Sequence, residues 1–264
     1  MHPEQTGSGD EEHILHENQD ASEIFELLRR PDHEPQQVIE LLGKKFPRLR
    51  YAFNLNDGTD EGEKHGVTIA DHTGRVVHQF LQQFGAEFPS SAGVSREIFE
   101  LALYLHDIGK GVAVEEASRA GKTRKEGRAE QYKHTIGIIQ EVFQQLGLTE
   151  DEIKFAINLI DGNPLGDAIY QVCAQNDNKK DEFTEGDVVK TAKQIRDMAE
   201  KSGLDAKPFL ELLRMYFLAD ALSYTEHAGN DPEYDWGWFE EGPDGKMRLI
   251  PEYQAVVNKI SQAI

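Results

Sequence analysis

From Val67 onward, apolar residues recur every three or four positions, and this period limits the fold more than any other feature of the chain. Such spacing places apolar side chains along one face of a helix, whereas a half-buried strand alternates apolar and polar residues. No alternating run is long enough to predict a sheet, and no internal repeat is evident. The sequence therefore predicts an all-α protein, a helical bundle with short helices before it and an irregular segment after it.

Several helix ends are marked by capping residues. Ser95 and Thr149 precede apolar runs and are typical N-caps, and Glu152 completes a capping box with Thr149. Gly147 ends the preceding helix, and the turn residues DGNP at 161–164 interrupt the next one. These signals predict a helix that follows Ser95 and further helices at 67–84, 129–146, 149–160, 165–174, 185–201 and 208–227.

Changes in composition divide the chain into four segments. Residues 1–20 are polar and acidic, which predicts a disordered tail. Residues 21–66 contain two short amphipathic helices and a turn-rich loop, and residues 67–228 form the predicted bundle. Residues 229–264 begin with a stretch rich in Gly, Pro and Asp. We expect residues 230–246 to be irregular, residues 256–264 to form a last short helix, and the extension to pack on the bundle.

The charge balance limits the partners. The chain has 48 acidic and 28 basic residues and a formal net charge of −20. Such a field repels phosphate backbones and anionic membranes, which disfavours a long nucleic acid as a partner. It leaves a small anionic substrate open, because a bound metal ion can reverse the local sign of the charge.

Targeting signals are absent from the sequence. The N-terminus lacks the basic and then apolar order of a signal peptide, and no run approaches the roughly 18 apolar residues that span a bilayer. The single cysteine, Cys173, excludes an intramolecular disulfide. We expect a cytoplasmic protein, although secretion without a classical signal stays open.

The strongest chemical signal is the segment LALYLHDIGK at 101–110. His106 and Asp107 end an apolar helix, at the edge of the core, and Lys110 follows. An imidazole and a carboxylate in such a place are costly unless they pair with each other or bind a metal. Taken alone, this segment leaves both interpretations open.

Other motifs lie at helix-sized intervals from this one. His72 stands in DHTGRVV, His134 in YKHTIG, and Asp220 in the apolar run FLADAL. A buried aspartate such as Asp220 needs a cation or several hydrogen-bond donors. The motifs favour a metal site over an isolated hydrogen-bonded pair.

A histidine, a His-Asp pair and a distant aspartate in this order resemble the signature of the HD-domain phosphohydrolase superfamily. The resemblance covers residues 67–227 and implies a divalent metal held by His72, His106, Asp107 and Asp220. The metal would be Mn, Fe, Co, Ni, Mg or Zn. Some members bind a second ion through further histidines. Here His134 holds the first of those places and Asp161 the second, so the resemblance implies one or two ions.

The resemblance also implies a mechanism in which metal-activated water attacks phosphorus. Asp107 would bridge two metals or orient the nucleophile, and Lys110 and Arg75 would contact phosphate unless they are simply solvated. Between His106 and His134 lies a basic stretch that we interpret as a mobile lid over the phosphates or as a solvated loop. Its basic residues include Lys122, Arg124, Lys125 and Arg128.

The substrate implied by the resemblance is a small phosphoester, above all a nucleotide or cyclic nucleotide. The branch that cleaves cyclic di-GMP is disfavoured, because the chain lacks the Gly-Tyr-Pro phrase downstream. The alternative is a metal- or nucleotide-binding regulatory or interaction module with little turnover. The complete set of four ligands argues against that alternative.

Overall fold

The computed structural model describes residues 21–30, 32–57, 66–85, 87–176, 183–224 and 237–264. Helices dominate these residues, which confirms the predicted all-α class. The predicted tail at 1–20 lies outside the described residues. In chain order the elements are α1 (21–28), α2 (Pro35–Lys45), α3 (Pro47–Phe53), α4 (Ile69–Phe84), α5 (Arg96–Leu105), α6 (Lys110–Arg119), α7 (Arg124–Ala129), α8 (Gln131–Gln145), α9 (Glu150–Ile160), α10 (Pro164–Asn176), α11 (Glu185–Lys201), α12 (Ala206–Leu222), β1 (Phe239–Glu241), β2 (Met247–Leu249) and α13 (Pro251–Ala263).

The predicted caps are confirmed. The Ser95 hydroxyl accepts a hydrogen bond from Ile98 N at 3.3 Å, and Thr149 forms a capping box with Glu152. Gly147 ends α8 with a φ of 72°, a conformation that side chains with a Cβ rarely adopt. These local bonds fix where the helices begin and end, and therefore which residues lie at the ends of the bundle.

The stretch at 114–128 is not the loop that the sequence suggested. It is built from α6 and α7, which pack tightly together. A Cβ atom on Gly127 would lie 2.9 Å from Ala113 O and from the Ala117 Cβ, so this glycine serves close packing instead of flexibility. The loop interpretation was therefore wrong for this segment, and its role as a basic lid stays a prediction.

The C-terminal segment is more regular than expected from residue 239 onward, and residues 230–236 of the predicted irregular stretch lie outside the described residues. Strands β1 and β2 form an antiparallel hairpin in which Glu240 lies opposite Arg248, and α13 begins at Pro251 instead of 256. Each strand has three residues, too few for an alternating pattern to stand out in the sequence. Proline at the first turn suits a helix start, because its missing N–H has no partner there in any case.

One hydrophobic core runs through all of these segments. Ile24 of α1, Leu42 of α2, Phe99 of α5 and Trp238 before β1 belong to the same cluster of buried side chains. The Phe80 ring packs against that of Phe99 with centroids 5.1 Å apart. The N-terminal helices and the C-terminal hairpin therefore share the core of the bundle. None of the helices in the described part of the chain is long and apolar enough to cross a membrane.

Helix α5 runs through the centre, and every residue from Ile98 to Leu105 is buried, including Glu100. His33 Nδ1 lies 2.7 Å from the carbonyl of Arg30, and His33 Nε2 lies 2.5 Å from Glu100 Oε1. Arg96 Nε stands 3.5 Å from the second oxygen of Glu100. Burial lowers the pKa of His33, but the contacts with Glu100 and Arg30 outweigh it and hold that pKa above its ordinary value. The contact of His33 with Glu100 thus ties the N-terminal segment to α5.

We expect His33→Gln to destabilise the fold by about 3 kcal/mol at pH 6, the loss typical of breaking a buried ion pair. Because the pKa of His33 is raised on folding, the pair contributes fully below the unfolded pKa of about 6.5 and is lost as pH rises through the folded pKa. Urea denaturation at pH 6 and pH 9 should therefore show a smaller effect at pH 9. His78→Gln, on an exposed face, is the control. An equal loss at both pH values would contradict this account.

Candidate metal centre

Three helices bring the predicted ligands together. His72 lies in the first turn of α4, which the capping box of Thr68 and Asp71 begins. His106 is the C-cap of α5, and Asp107 follows it directly. Asp220 lies in the last turn of α12, which packs along α4. The ends of apolar helices thus place four polar side chains at one point beside the core.

The four side chains converge on a small volume. Nε2 of His72 and Nε2 of His106 are 3.2 Å apart. Asp107 Oδ2 lies 3.5 Å from the first nitrogen and 3.7 Å from the second, and Asp220 Oδ1 lies 3.3 Å and 3.8 Å from them. Atoms that share a metal at about 2.1 Å lie about 3.0 to 3.4 Å from one another. The distances between the two nitrogens, and from each nitrogen to the two carboxylate oxygens, are close to those in a coordination shell.

Hydrogen bonds fix the tautomers of both imidazoles. His106 Nδ1 lies 2.7 Å from the Leu103 carbonyl, an acceptor, so Nδ1 carries the hydrogen. The Ser223 hydroxyl donates to the Asp220 carbonyl at 2.6 Å, so it accepts from His72 Nδ1 at 3.4 Å. In the neutral state, both Nε2 lone pairs therefore point into the space that the two carboxylates also face.

This arrangement fits a cation. Two lone pairs and two carboxylates repel one another unless positive charge lies among them. The Tyr224 hydroxyl, 3.3 Å from His72 Nε2, has one hydrogen and cannot offset all four groups. Asp220 Oδ1 is buried, and it has no hydrogen-bond partner as long as both imidazoles are neutral at Nε2. His72, His106 and Asp107 could hold a metal ion, and Asp220 offers a further oxygen beside them.

The pKa shifts of His106 and Asp107 agree with ligand roles, whereas that of His72 reflects the two carboxylates beside it. Burial lowers the pKa of His106 below its ordinary value, which favours the neutral form that metals bind. Burial also lowers the pKa of His72, but the hydrogen bonds and charges of Asp107 and Asp220 raise it above the ordinary value. Burial raises the pKa of Asp107, yet the charge of Lys110 and then that of His106 hold it well below its usual range. Asp107 is therefore a carboxylate at neutral pH.

Lys110 lies within the site. Its Nζ stands 3.0 Å from Asp107 Oδ2, and its side chain is 10% exposed, which excludes the simple solvated lysine. Burial lowers the pKa of Lys110, but the charges of Asp107, Asp220 and Asp57 keep it above the ordinary value. A permanent positive charge thus lies beside the cluster.

Asp57 is a residue of this region that the sequence analysis missed. It is fully buried, and its backbone N–H donates to the Val67 carbonyl at 3.1 Å, just before α4. A Cβ on Gly111, in α6, would lie 2.6 Å from Leu55 Cβ, so the chain before Asp57 lies tightly against α6. The turn-like sequence around Asp57 suggests solvent exposure. A single sequence carries no signal that shows such an aspartate to be buried.

The other predicted residues lie further out. Arg75 follows His72 by one turn, and its charge acts on Tyr224, which contacts His72. His134 Nε2 lies 3.5 Å from a carboxylate oxygen of Glu116, and Asp161 is the exposed C-cap of α9. Neither is among the described residues that share the central cluster. The basic residues Lys122, Arg124, Lys125 and Arg128 lie on α7 and the turn before it.

Comparisons of the chain with protein-family models, with curated proteins and with solved structures found no match.

We expect Mn²⁺ to raise the thermal unfolding midpoint by about 5 °C or more over that in EDTA, because a ligand that binds only the native state stabilises it by mass action. Differential scanning fluorimetry would measure the shift. His106→Ala should abolish it, whereas His134→Ala, outside the central cluster, should retain it. An unchanged shift in His106→Ala would place the metal elsewhere.

Proposed function

We propose that this chain is a divalent-metal phosphohydrolase of the HD type that acts on a small phosphoester. The observation that carries this proposal is a pair of imidazole nitrogens 3.2 Å apart, with one oxygen of Asp107 and one of Asp220 each 3.3 to 3.8 Å from both nitrogens and the Lys110 cation beside them. The order of these residues along the chain is the one that resembles the HD superfamily. His72 and His106 are 34 positions apart, and His106 and Asp220 are 114 positions apart, yet their side chains meet. This meeting supports the resemblance, because the spacing along the chain does not require it.

The donor set favours a transition metal. Imidazole suits Fe, Mn, Co, Ni and Zn, and two carboxylates harden the site toward metals that prefer oxygen. A divalent cation bound there would polarise phosphoryl oxygens and lower the pKa of water. His72, His106, Asp107 and Asp220 would hold it. His134 and Asp161 lie outside the cluster, which favours one ion.

Asp107 and Lys110 have distinct parts in this proposal. Lys110 keeps Asp107 ionised, and an ionised carboxylate at the reaction centre can orient water or accept its proton. The Lys110 ammonium can also offset the negative charge that develops on phosphoryl oxygens as the P–O bond to water forms and the ester P–O bond breaks. The buried position of Lys110 strengthens this effect, because surrounding water would screen it.

Because the protein is strongly acidic, a phosphate needs local positive charge in order to bind. A net charge of −20 repels a phosphate, so binding depends on local positive charge. Lys110 and a bound cation would supply that charge at one place. The resemblance favours a nucleotide or cyclic nucleotide as the substrate.

The proposal is tested by elemental analysis of protein purified without chelator, together with phosphate or nucleoside release from a nucleotide panel in Mn²⁺, Co²⁺, Ni²⁺ or Mg²⁺. We expect bound transition metal and metal-dependent release, which Asp107→Asn lowers by at least about 100-fold. Asp161→Asn, at the exposed end of α9, is the control and should retain activity. Bound metal without turnover of any panel member would contradict the hydrolase and favour a regulatory module.

A second prediction concerns the acid limb of the pH–rate profile. Lys110 is the largest of the charges that lower the pKa of Asp107, so Lys110→Gln should raise that pKa. Activity that needs the Asp107 carboxylate would then be lost at a higher pH as the solution is acidified. Rates measured from pH 4 to pH 9 for Lys110→Gln and for Lys122→Gln, on an exposed turn, test this. An acid limb at the same pH in Lys110→Gln would contradict the claim that Lys110 lowers the pKa of Asp107.

A further inference from the structure

Aromatic side chains border the metal centre. The Tyr216 ring meets that of His106 with centroids 5.8 Å apart, and the Tyr224 ring lies 4.7 Å from that of His72. Both of these tyrosines are largely or partly buried. Tyr132 and Tyr170 differ from them, because they are 36% and 49% exposed. Tyr132 and Tyr170 are thus two of the few large apolar side chains that are exposed in the described residues.

Tyr132 is held against the His-Asp turn by the packing of α8. Gly109 N donates to Thr135 Oγ1 at 3.1 Å, and a Cβ on Gly109 would lie 2.7 Å from the Gln131 carbonyl. The first turn of α8, which contains Tyr132, thus lies directly on the residues after Asp107. Burial and then the negative charge of Asp107 raise the pKa of Tyr132, in agreement with this position.

The Tyr170 ring contacts a series of aromatic rings that ends in the helix of Asp220. Its ring meets the buried Trp238 edge to face at 4.8 Å, and Trp238 stacks on Phe217 at 6.0 Å. Phe217 precedes Asp220 by three positions in α12. Burial and then the charge of Asp220 raise the pKa of Tyr170. Half of this side chain remains exposed although its orientation is fixed, which lowers the entropy cost of contact with a ligand.

The charges at this edge limit what can occupy it. Asp167 lies one turn before Tyr170, and its negative charge acts on Tyr132. A carboxylate at this place repels a second phosphate but accepts hydrogen bonds from sugar hydroxyls or base amino groups. A matching ligand has one anionic end for the metal centre and a planar, uncharged end for the tyrosines.

We infer that Tyr132 and Tyr170 form a base-stacking subsite, and that the substrate is a nucleoside monophosphate. This inference rests on the proposed function, because the phosphate is assigned to the metal centre. Stacking on aromatic rings tolerates any base, since every base has a π face. The subsite therefore selects nucleotides over sugar phosphates without strong selection among bases.

The test compares ligands that differ in the base or in the phosphate alone. Calorimetry measures the binding of adenosine, which has no phosphate to release, and kinetics compare AMP with ribose 5-phosphate in Mn²⁺. Tyr170→Leu should weaken adenosine binding and lower kcat/KM for AMP about tenfold, the loss typical of one base–aromatic stack, and leave ribose 5-phosphate unchanged. Tyr170→Phe should retain binding, and Tyr132→Leu is an independent second variant. Tyr51→Leu is the matched control, because Tyr51 is also 49% exposed.

The outcomes separate this inference from the proposed function. Tyrosine-dependent adenosine binding without AMP hydrolysis supports the subsite and contradicts the hydrolase. AMP hydrolysis that Tyr132→Leu and Tyr170→Leu leave unchanged, or reduce equally for ribose 5-phosphate, overturns the subsite and leaves the hydrolase intact. Failure of adenosine and AMP to bind overturns the subsite as well.

Discussion

Two imidazole nitrogens that face each other 3.2 Å apart are the contact on which the rest of the site depends. The second nitrogen of each ring is committed elsewhere, in His106 to the Leu103 carbonyl and in His72 to the Ser223 hydroxyl. Two carboxylates approach the same point, and Asp220 Oδ1 has no hydrogen-bond partner there while both imidazoles are neutral at Nε2. Such an arrangement is stabilised by positive charge, of which Lys110 supplies one part beside Asp107 and a bound cation would supply the rest. The helices α4, α5 and α12 that hold these groups belong to the shared core. The packing free energy of that core therefore offsets the electrostatic repulsion among the groups.

The fold also supplies the surroundings of the site from distant parts of the chain. The N-terminal segment contributes Asp57, which acts on Lys110, and the buried pair of His33 and Glu100 ties this segment to α5. The C-terminal segment contributes Trp238, which contacts Tyr170. The segments before and after the bundle thus take part in the proposed site as well as in the core. In an acidic protein, this arrangement places the buried charge of Lys110 beside the proposed site.

Much of this could be predicted from the sequence, because local rules decide it. The helical period, the caps Ser95 and Thr149 and the polar end of an apolar helix at His106 are all local signals, and Asp220 stands out in an apolar run. Asp57 and Ser223 could not be predicted, because their roles come from packing between segments far apart in the chain. The exposure of Tyr132 and Tyr170 has the same origin. The β1–β2 hairpin was missed because its strands are too short to show a period, and α6 and α7 because glycine that permits close packing resembles glycine that permits flexibility.

The central claim is that a cation belongs among His72, His106, Asp107 and Asp220. Anomalous diffraction from crystals grown with Mn²⁺ and collected on both sides of the manganese absorption edge would test it most directly. The account predicts one strong peak within about 2.3 Å of both Nε2 atoms and of an oxygen from each aspartate. A peak at another place, or none in crystals that diffract well, would contradict it and leave His106 and Asp107 as a hydrogen-bonded helix end.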